Sequence, residues 1–183
     1  MRRMVTSTEK HNASSQNSNK ESHFLLEEAP LMDPSRIRNA RLREILDFWE
    51  AHKRGDDVPL WKTFNPMEFP DMLPTISVFS NEGTAEEPDY LLRVEGERSA
   101  EIMGLPTSMT SVSKLHSYFS NTKLGEQLDI MARHKRPIYF IRNLGWKDHR
   151  DYINYEILSL PFATEADGPV DRFLSVKIFT PRD

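Results

Sequence analysis

The chain contains no cysteine among its 183 residues. Disulfide bonds, thiolate metal sites and cysteine nucleophiles are therefore excluded as sources of stability or of chemistry. The absence of cysteine agrees with the reducing environment of the cytoplasm, which is where we expect the protein to be located.

The sequence also lacks a long apolar run. No stretch approaches the roughly 20 apolar residues that a helix needs to span a bilayer. The charged start of the chain is followed by Ser, Thr, Asn and Lys rather than by the apolar segment of a signal peptide. We therefore expect no membrane insertion.

Neither charge sign dominates the chain, which carries a net charge of −4. A protein that binds nucleic acid usually shows a strong basic excess, because it must neutralise phosphates. The alternative site for nucleic acid is a group of arginines in the first predicted helix: Arg36, Arg38, Arg41 and Arg43. Acidic residues alternate with them, which favours a solvated helix face, so we expect no nucleic-acid partner.

Motifs that carry catalysis or bind metals are missing. The seven glycines are scattered singly, so there is no phosphate-binding loop. No Gly-x-Ser-x-Gly elbow is present, and no two histidines have the helical spacing of a metal site. Glu95, Glu97 and Glu101 are close in sequence, but we interpret them as solvated or capping residues. We therefore predict no catalytic residues and no metal site, and we expect that the protein is not an enzyme.

The N-terminal part of the chain divides into a tail and a helix. Residues 1–32 are rich in Ser, Asn, Glu and Lys, which predicts a disordered polar tail. Asp33-Pro34 and Gly55 are typical of a helix start and a helix end, so an amphipathic helix is predicted over 33–55. Its apolar face is the candidate interface with a partner or a second copy: Leu42, Ile45, Leu46 and Trp49. Alternatively, this face covers the sheet of its own subunit.

Residues 56–180 form the predicted folded domain. Alternating apolar residues predict strands at about 75–80 and 90–94, and β-rich segments predict three more. Short helices and one longer helix at about 118–135 separate the two groups of strands. The last three strands are predicted at about 138–146, 152–162 and 171–179. This order indicates an α+β domain with a mostly antiparallel sheet.

Several short motifs resemble those of the alphaproteobacterial family of PAS-like domains. Their order and spacing carry the resemblance: Phe48-Trp49, Asn65-Pro66, Leu73-Pro74, 92–96, Arg136-Pro137, 155–161 and Asp167-Gly168. The resemblance implies a PAS-like five-stranded antiparallel sheet, with short helices on one face and a leading amphipathic helix. It also implies a non-catalytic role in bacterial signal transduction, in which the domain senses a small ligand or docks partner proteins. We expect a kinase or regulator as partner and a homodimer as the assembly.

The resemblance does not name a ligand. The family has Asp-Pro where this chain has Asn65-Pro66, and residues 104–108 replace its Thr-Gly pair. Any cofactor is therefore unknown, although His116 lies in a region from which some PAS domains hold haem.

Apolar residues of the domain predict a ligand pocket between the helices and the sheet. The candidate ligand-binding residues are Met103, Phe119, Leu128, Met131, Tyr139, Ile141, Tyr155, Ile157 and Val176. Tyr139, Tyr155 or Asn143 would supply polar contacts. The alternative is that these residues form an ordinary packed core.

A second hypothesis is a small enzyme or ligand-binding protein on the cone-shaped fold of ketosteroid-isomerase relatives. Such an enzyme needs an acid or base in its pocket, for which Asp151, Glu156 and His149 are the nearest candidates. Topology distinguishes the two hypotheses. A helical hairpin at the start favours the enzyme fold, whereas a strand pair at 75–96 followed by short helices favours the PAS fold.

Overall fold

The computed structural model describes residues 25–30, 34–107, 110–115, 124–144 and 153–181. Short 3-10 turns at Pro34–Arg36, Trp61–Thr63, Pro66–Glu68 and Leu73–Thr75 connect the early elements. The helices and strands, in chain order, are β1 (Leu25–Pro30), α1 (Ala40–Ala51), β2 (Ile76–Asn81), β3 (Tyr90–Glu95), α2 (Glu97–Met103), β4 (Thr110–Ser111), α3 (Val112–Leu115), α4 (Leu124–His134), β5 (Ile138–Asn143), β6 (Ile153–Ala163) and β7 (Val170–Pro181).

The strands form one antiparallel sheet in the order β1-β5-β6-β7-β2-β3-β4. Its five central strands are those predicted from the sequence, and β1 and β4 add a short strand at each edge. The predicted α+β fold, with a five-stranded core sheet, short helices and a leading helix, is confirmed.

The two faces of the sheet have different covers. Side chains alternate between faces along a strand. On β6 and β7 this alternation directs Leu158 and Val176 to one face, and Ser159 and Lys177 to the other. Helix α1 packs on the first face, whereas α2 and α4 lie over the second. The second face contains the cavity described below.

Helix α1 is shorter than the predicted helix over 33–55. It begins after Asn39, whose side chain accepts a hydrogen bond from the Arg41 backbone N–H at 2.9 Å. It ends at Ala51, and Gly55 takes its left-handed conformation (φ 66°) in the turn that follows. The prediction chose the wrong boundaries because Asn39 is as effective a cap as the residue before Pro34, and a left-handed glycine also serves turns.

The four residues predicted as a partner interface belong to the core of their own chain. Leu42, Ile45, Leu46 and Trp49 are each at most 1% exposed. The Trp49 Nε1 donates a hydrogen bond of 2.7 Å to the Pro161 carbonyl on β6. Their burial in the described fold leaves none of their apolar surface for a partner. The structure therefore shows the alternative, in which this face of the helix covers the sheet of its own subunit.

Part of the predicted disordered tail is a strand. Residues 25–30 form β1, which pairs with β5 along the edge of the sheet. An unpaired edge strand presents free backbone N–H and C=O groups, and these accept a neighbouring strand whatever its composition. Polar composition therefore did not reveal this pairing. Residues 1–24, 31 and 32 of the predicted tail, and residue 33 at the start of the predicted helix, lie outside the described residues.

A β-bulge changes the phase of β3. The pairing with β2 shifts by one residue after Val78, so that Arg93 is the extra residue. Leu92 is consequently buried while Val94 is 46% exposed, although alternation predicted a common face for the two. The bulge also brings Leu92 and Glu95, three residues apart, to the face that carries the cavity.

Candidate functional site

A cavity of about 50 Å³ lies between the sheet and the helices α2 and α4. At about 10–15 Å³ per water, this space accommodates about four water molecules or a ligand of similar size. Its apolar lining comprises Phe79, Leu92, Met103, Leu105, Leu124, Met131, Phe140 and Ile157. Its polar lining comprises Ser77, Glu95, Gln127, Arg142, Tyr155, Ser159, Ser175 and Lys177.

A buried ion pair forms one part of the cavity wall. The Lys177 Nζ lies 2.7 Å from Glu95 Oε1, and the two side chains are 4% and 1% exposed. Ser77 lies between them in the sheet, where its hydroxyl donates to Glu95 Oε2 at 2.5 Å and accepts from Lys177. Because two buried charges are costly unless they are paired and hydrogen-bonded, each of these three groups depends on the other two.

The ion pair continues into a row of serines across the sheet. Ser77 pairs with Ser175, which pairs in turn with Ser159. The hydroxyls of Ser159 and Ser175 are 2.7 Å apart. A hydroxyl has one donor and two acceptor positions, so this pair keeps hydrogen-bonding capacity beyond its mutual bond. The floor of the cavity is therefore polar, although its walls are mostly apolar.

A second cation lies on β5. The Arg142 guanidinium carbon is 4.4 Å from the centroid of the Phe140 ring, and both side chains line the cavity. Lys177 and Arg142 contribute two positive charges, and Glu95 contributes one negative charge, so the described residues of the lining carry a net charge of +1. Both Glu95 oxygens already accept hydrogen bonds, from Lys177 and Ser77.

Glu156, a candidate for the enzyme hypothesis, has a structural role on the opposite face. Its Oε2 accepts hydrogen bonds from the Asn39 backbone N–H at 3.3 Å and from the Tyr139 hydroxyl at 2.8 Å. Burial and this hydrogen bond raise the pKa of Tyr139. Glu156 thus ties the start of α1 to the sheet. Asp151 and His149, the other two candidates, lie outside the described residues.

The structure brings four of the nine predicted ligand-binding residues to the cavity. Met103, Met131, Tyr155 and Ile157 all line it. Phe119, like His116, lies outside the described residues. The other four are buried but are not part of the lining: Leu128, Tyr139, Ile141 and Val176.

Strand register explains why three of these four residues do not line the cavity. Tyr139 pairs with Leu158, and Leu158 pairs with Val176, so these residues share the face that α1 covers. Ile141 is two residues beyond Tyr139 and has the same orientation. Phe140 instead points into the cavity. Because both faces of β5 are apolar, alternation alone did not show which face the later helices cover. Asn143, a predicted polar contact, is buried but does not line the cavity.

Sequence reasoning missed the polar residues of the cavity. Glu95 was interpreted as solvated or capping, and the structure shows it buried in an ion pair. The available signal was Lys177, a lysine inside the mostly apolar stretch Phe173–Phe179 of β7. A buried lysine requires an anionic partner, which would have directed attention to acidic residues on neighbouring strands.

A sequence profile of the PAS domain matches residues 37–176. The chain belongs to the PAS domain family. This PAS domain is accordingly a sensory or regulatory domain, and its topology agrees: the strand pair β2–β3 precedes the short helices α2 and α3. The topology excludes the cone-shaped enzyme fold, which would begin with a helical hairpin.

One solved structure similar to this PAS domain is described as an RNA-binding light-oxygen-voltage receptor. The two chains share 13% sequence identity with a TM-score of 0.45, over 85% of this chain. The match spans 38% of the length of the receptor chain. None of the curated proteins matches the sequence.

The described part of this PAS domain shows neither a metal-binding cluster nor a membrane-spanning helix. Within it, no group of three or more His, Asp or Glu side chains is arranged to hold a metal ion. None of its described helices is long and apolar enough to cross a membrane.

Proposed function

We propose that this PAS domain binds a small molecule in the cavity beneath α4 and communicates its presence to a signalling partner, without catalysis of its own. The observation that carries the proposal is the buried Lys177–Glu95–Ser77 cluster on the cavity wall. Replacing a buried ion pair by apolar residues often leaves stability unchanged or raises it, so a role in recognition explains the cluster better than a role in stability.

The sheet supplies a route from the cavity to the surface helix. Ser159 on β6 lines the cavity, whereas Leu158 and Leu160 on either side of it face α1. The next residue, Pro161, accepts the hydrogen bond from Trp49 of α1. A ligand that displaces this part of β6 would therefore change the position of α1 on the sheet. We propose that α1 transmits the signal to the partner.

A kinase or another regulator as partner, and a homodimer as the assembly, remain predictions from the sequence. The core residues of α1 do not serve either contact in the described fold, since they are buried. Such a contact would instead use exposed positions of α1, among them Arg41, Glu44 and Asp47.

Methionine-methyl NMR tests the ligand site. Met103 and Met131 line the cavity, whereas Met67 is 69% exposed and is an internal control. With ¹³C-methyl methionine in the full chain, a fraction of small molecules from the native host should shift the Met103 and Met131 signals only. Unchanged signals with every fraction would contradict the proposal.

A matched pair of variants localises the effect. Leu124 and Ile130 are both partly buried on α4, but only Leu124 lines the cavity. Leu124→Phe adds bulk inside the cavity and should abolish the shifts at Met131. Ile130→Phe makes a similar change outside the cavity and should preserve them.

A further inference from the structure

We propose that the ligand of this cavity is a small organic carboxylate of about four to six non-hydrogen atoms, a proposal that rests on the proposed function. Three properties of the described lining point to this class: its charge, its hydrogen-bond donors and its size.

The charge of the lining favours an anion. Glu95 is the one acidic residue among the described residues of the lining, and its two oxygens are engaged by Lys177 and Ser77. A ligand amine would therefore have to displace Lys177 from a buried ion pair before it met a carboxylate. Arg142 adds a second cation to the lining, and a planar guanidinium matches the geometry of a carboxylate.

The neutral polar groups of the lining also suit an acceptor. Ser159, Ser175, Gln127 and Tyr155 each carry at least one N–H or O–H donor. An ionised carboxylate only accepts hydrogen bonds, through two oxygens, and it forms stronger bonds with such donors than a neutral carbonyl does. A carboxylate placed over this floor has donors from both charged and uncharged groups.

Size and wall polarity define the rest of the ligand. The cavity of about 50 Å³ holds about four water molecules, so a ligand of about four to six heavy atoms would fill it. Phe79, Met131 and Ile157 form apolar walls around the polar floor. A short alkyl chain on the carboxylate would contact these walls and gain from the removal of apolar surface from water.

Propionate and its neutral isostere propionamide provide the direct comparison. Both have five non-hydrogen atoms and nearly the same shape, so charge is the main difference between them. We would titrate each into the ¹³C-methyl-methionine-labelled full chain at constant ionic strength, with sodium chloride as the balancing salt. Propionate should shift Met103 and Met131 but not Met67, with an affinity at least about tenfold above that of propionamide.

Arginine variants test the recognition itself. Arg142→Gln removes the cation and should weaken propionate binding about tenfold or more, while Arg142→Lys should retain part of the affinity. Arg133→Gln removes an exposed cation of α4 outside the lining and should leave the affinity unchanged. The urea unfolding midpoint of each variant verifies that the fold is retained.

The outcomes separate this inference from the proposed function. Equal affinities for propionate and propionamide, or full affinity in a folded Arg142→Gln variant, would overturn the carboxylate class. If propionate leaves the Met103 and Met131 signals unchanged but a host fraction shifts them, the carboxylate class would also be overturned, although the cavity would still be a ligand site. If neither propionate nor any host fraction shifts these signals, the inference and the proposed function would be overturned together.

Discussion

At the scale of single residues, the Lys177–Glu95–Ser77 cluster is the feature that departs most from a conventional core. Its members come from β7, β3 and β2, which are adjacent in the sheet. The two charges are almost completely removed from solvent. Breaking a buried pair by removing one partner costs about 3–5 kcal/mol, because the other charge is then left uncompensated. The free energy of unfolding should therefore be unusually sensitive to a substitution that removes only one of the two charges.

Substitution of Lys177 tests this description. Lys177→Met leaves the Glu95 carboxylate buried without its cation, and it should lower the free energy of unfolding by about 3–5 kcal/mol in urea titrations. Adding Glu95→Leu removes the orphaned charge and should restore most of the loss. A single variant as stable as the parent would show that the two groups are not coupled in the folded protein.

The pair formed by Asp57 and Lys135 gives a pH dependence. The hydrogen bond from Lys135, at 3.0 Å, is the main cause that lowers the pKa of Asp57 below its usual range. A lowered carboxyl pKa stabilises the fold above the unfolded pKa of about 4, and the effect disappears as the pH falls through the folded pKa. Asp57→Asn should therefore reduce stability at pH 7, and the difference from the parent should shrink as the pH falls below about 4. A stability difference that stays constant from pH 7 into the acid range would contradict this assignment.

At the scale of elements, α1 is a structural part of the domain and not an appendage. Four apolar side chains of α1 are buried at the sheet, and both the Asn39–Glu156 and Trp49–Pro161 hydrogen bonds anchor it. Pro161 lies beyond the last residue pair of β5 and β6, so its missing N–H leaves no ladder bond unmade on that side. Its carbonyl is available for the indole.

Trp49→Phe removes the indole N–H together with part of the buried ring volume. The ring remains apolar, but the Pro161 carbonyl loses its partner in a buried position. Stability should fall by about 1–3 kcal/mol, whereas Asp47→Ala on the exposed face of α1 should change it by less than about 0.5 kcal/mol. Urea unfolding measures both. An equal effect of the two substitutions would argue against the packing of Trp49 on the sheet.

A side chain would be tolerated at one of two glycines but not at the other. Gly96 joins β3 to α2, and a Cβ there would lie 2.5 Å from the backbone of Pro74. Gly125 lies in α4, where a Cβ would meet none of the described residues within 4 Å. Gly96→Ala should therefore destabilise the protein by about 1–3 kcal/mol. Gly125→Ala should stabilise it by about 0.5–1 kcal/mol, because alanine is the better helix former. Thermal unfolding of the two variants should show shifts of opposite sign, and shifts of the same sign would contradict the packing at Gly96.

The elements themselves were predictable to different degrees. The hydrophobic periodicity around Leu46 and Trp49 was sufficient to predict α1, and β-branched and aromatic residues were sufficient for β5, β6 and β7. Local sequence does not record which residues lie opposite each other on neighbouring strands. The β3 bulge at Arg93 and the pairing of β1 with β5 both depend on such register, so neither was predicted.

At the scale of the whole molecule, one sheet separates two environments. On one face α1 completes an apolar core, and on the other α2 and α4 enclose a cavity with a polar floor. The sequence indicated a pocket, and four of its predicted residues line it. It did not indicate the charged residues, because Lys177, Glu95 and Arg142 lie on three different strands and meet only after the sheet has formed.

The central claim is that this cavity binds a small molecule, and native mass spectrometry of the full chain purified from its own host tests it most directly. We expect a reproducible added mass of the size of a few heavy atoms on the parent protein, retained in Ile130→Phe and absent from Leu124→Phe. A bare mass for the parent protein, or the same added mass in all three proteins, would contradict the claim.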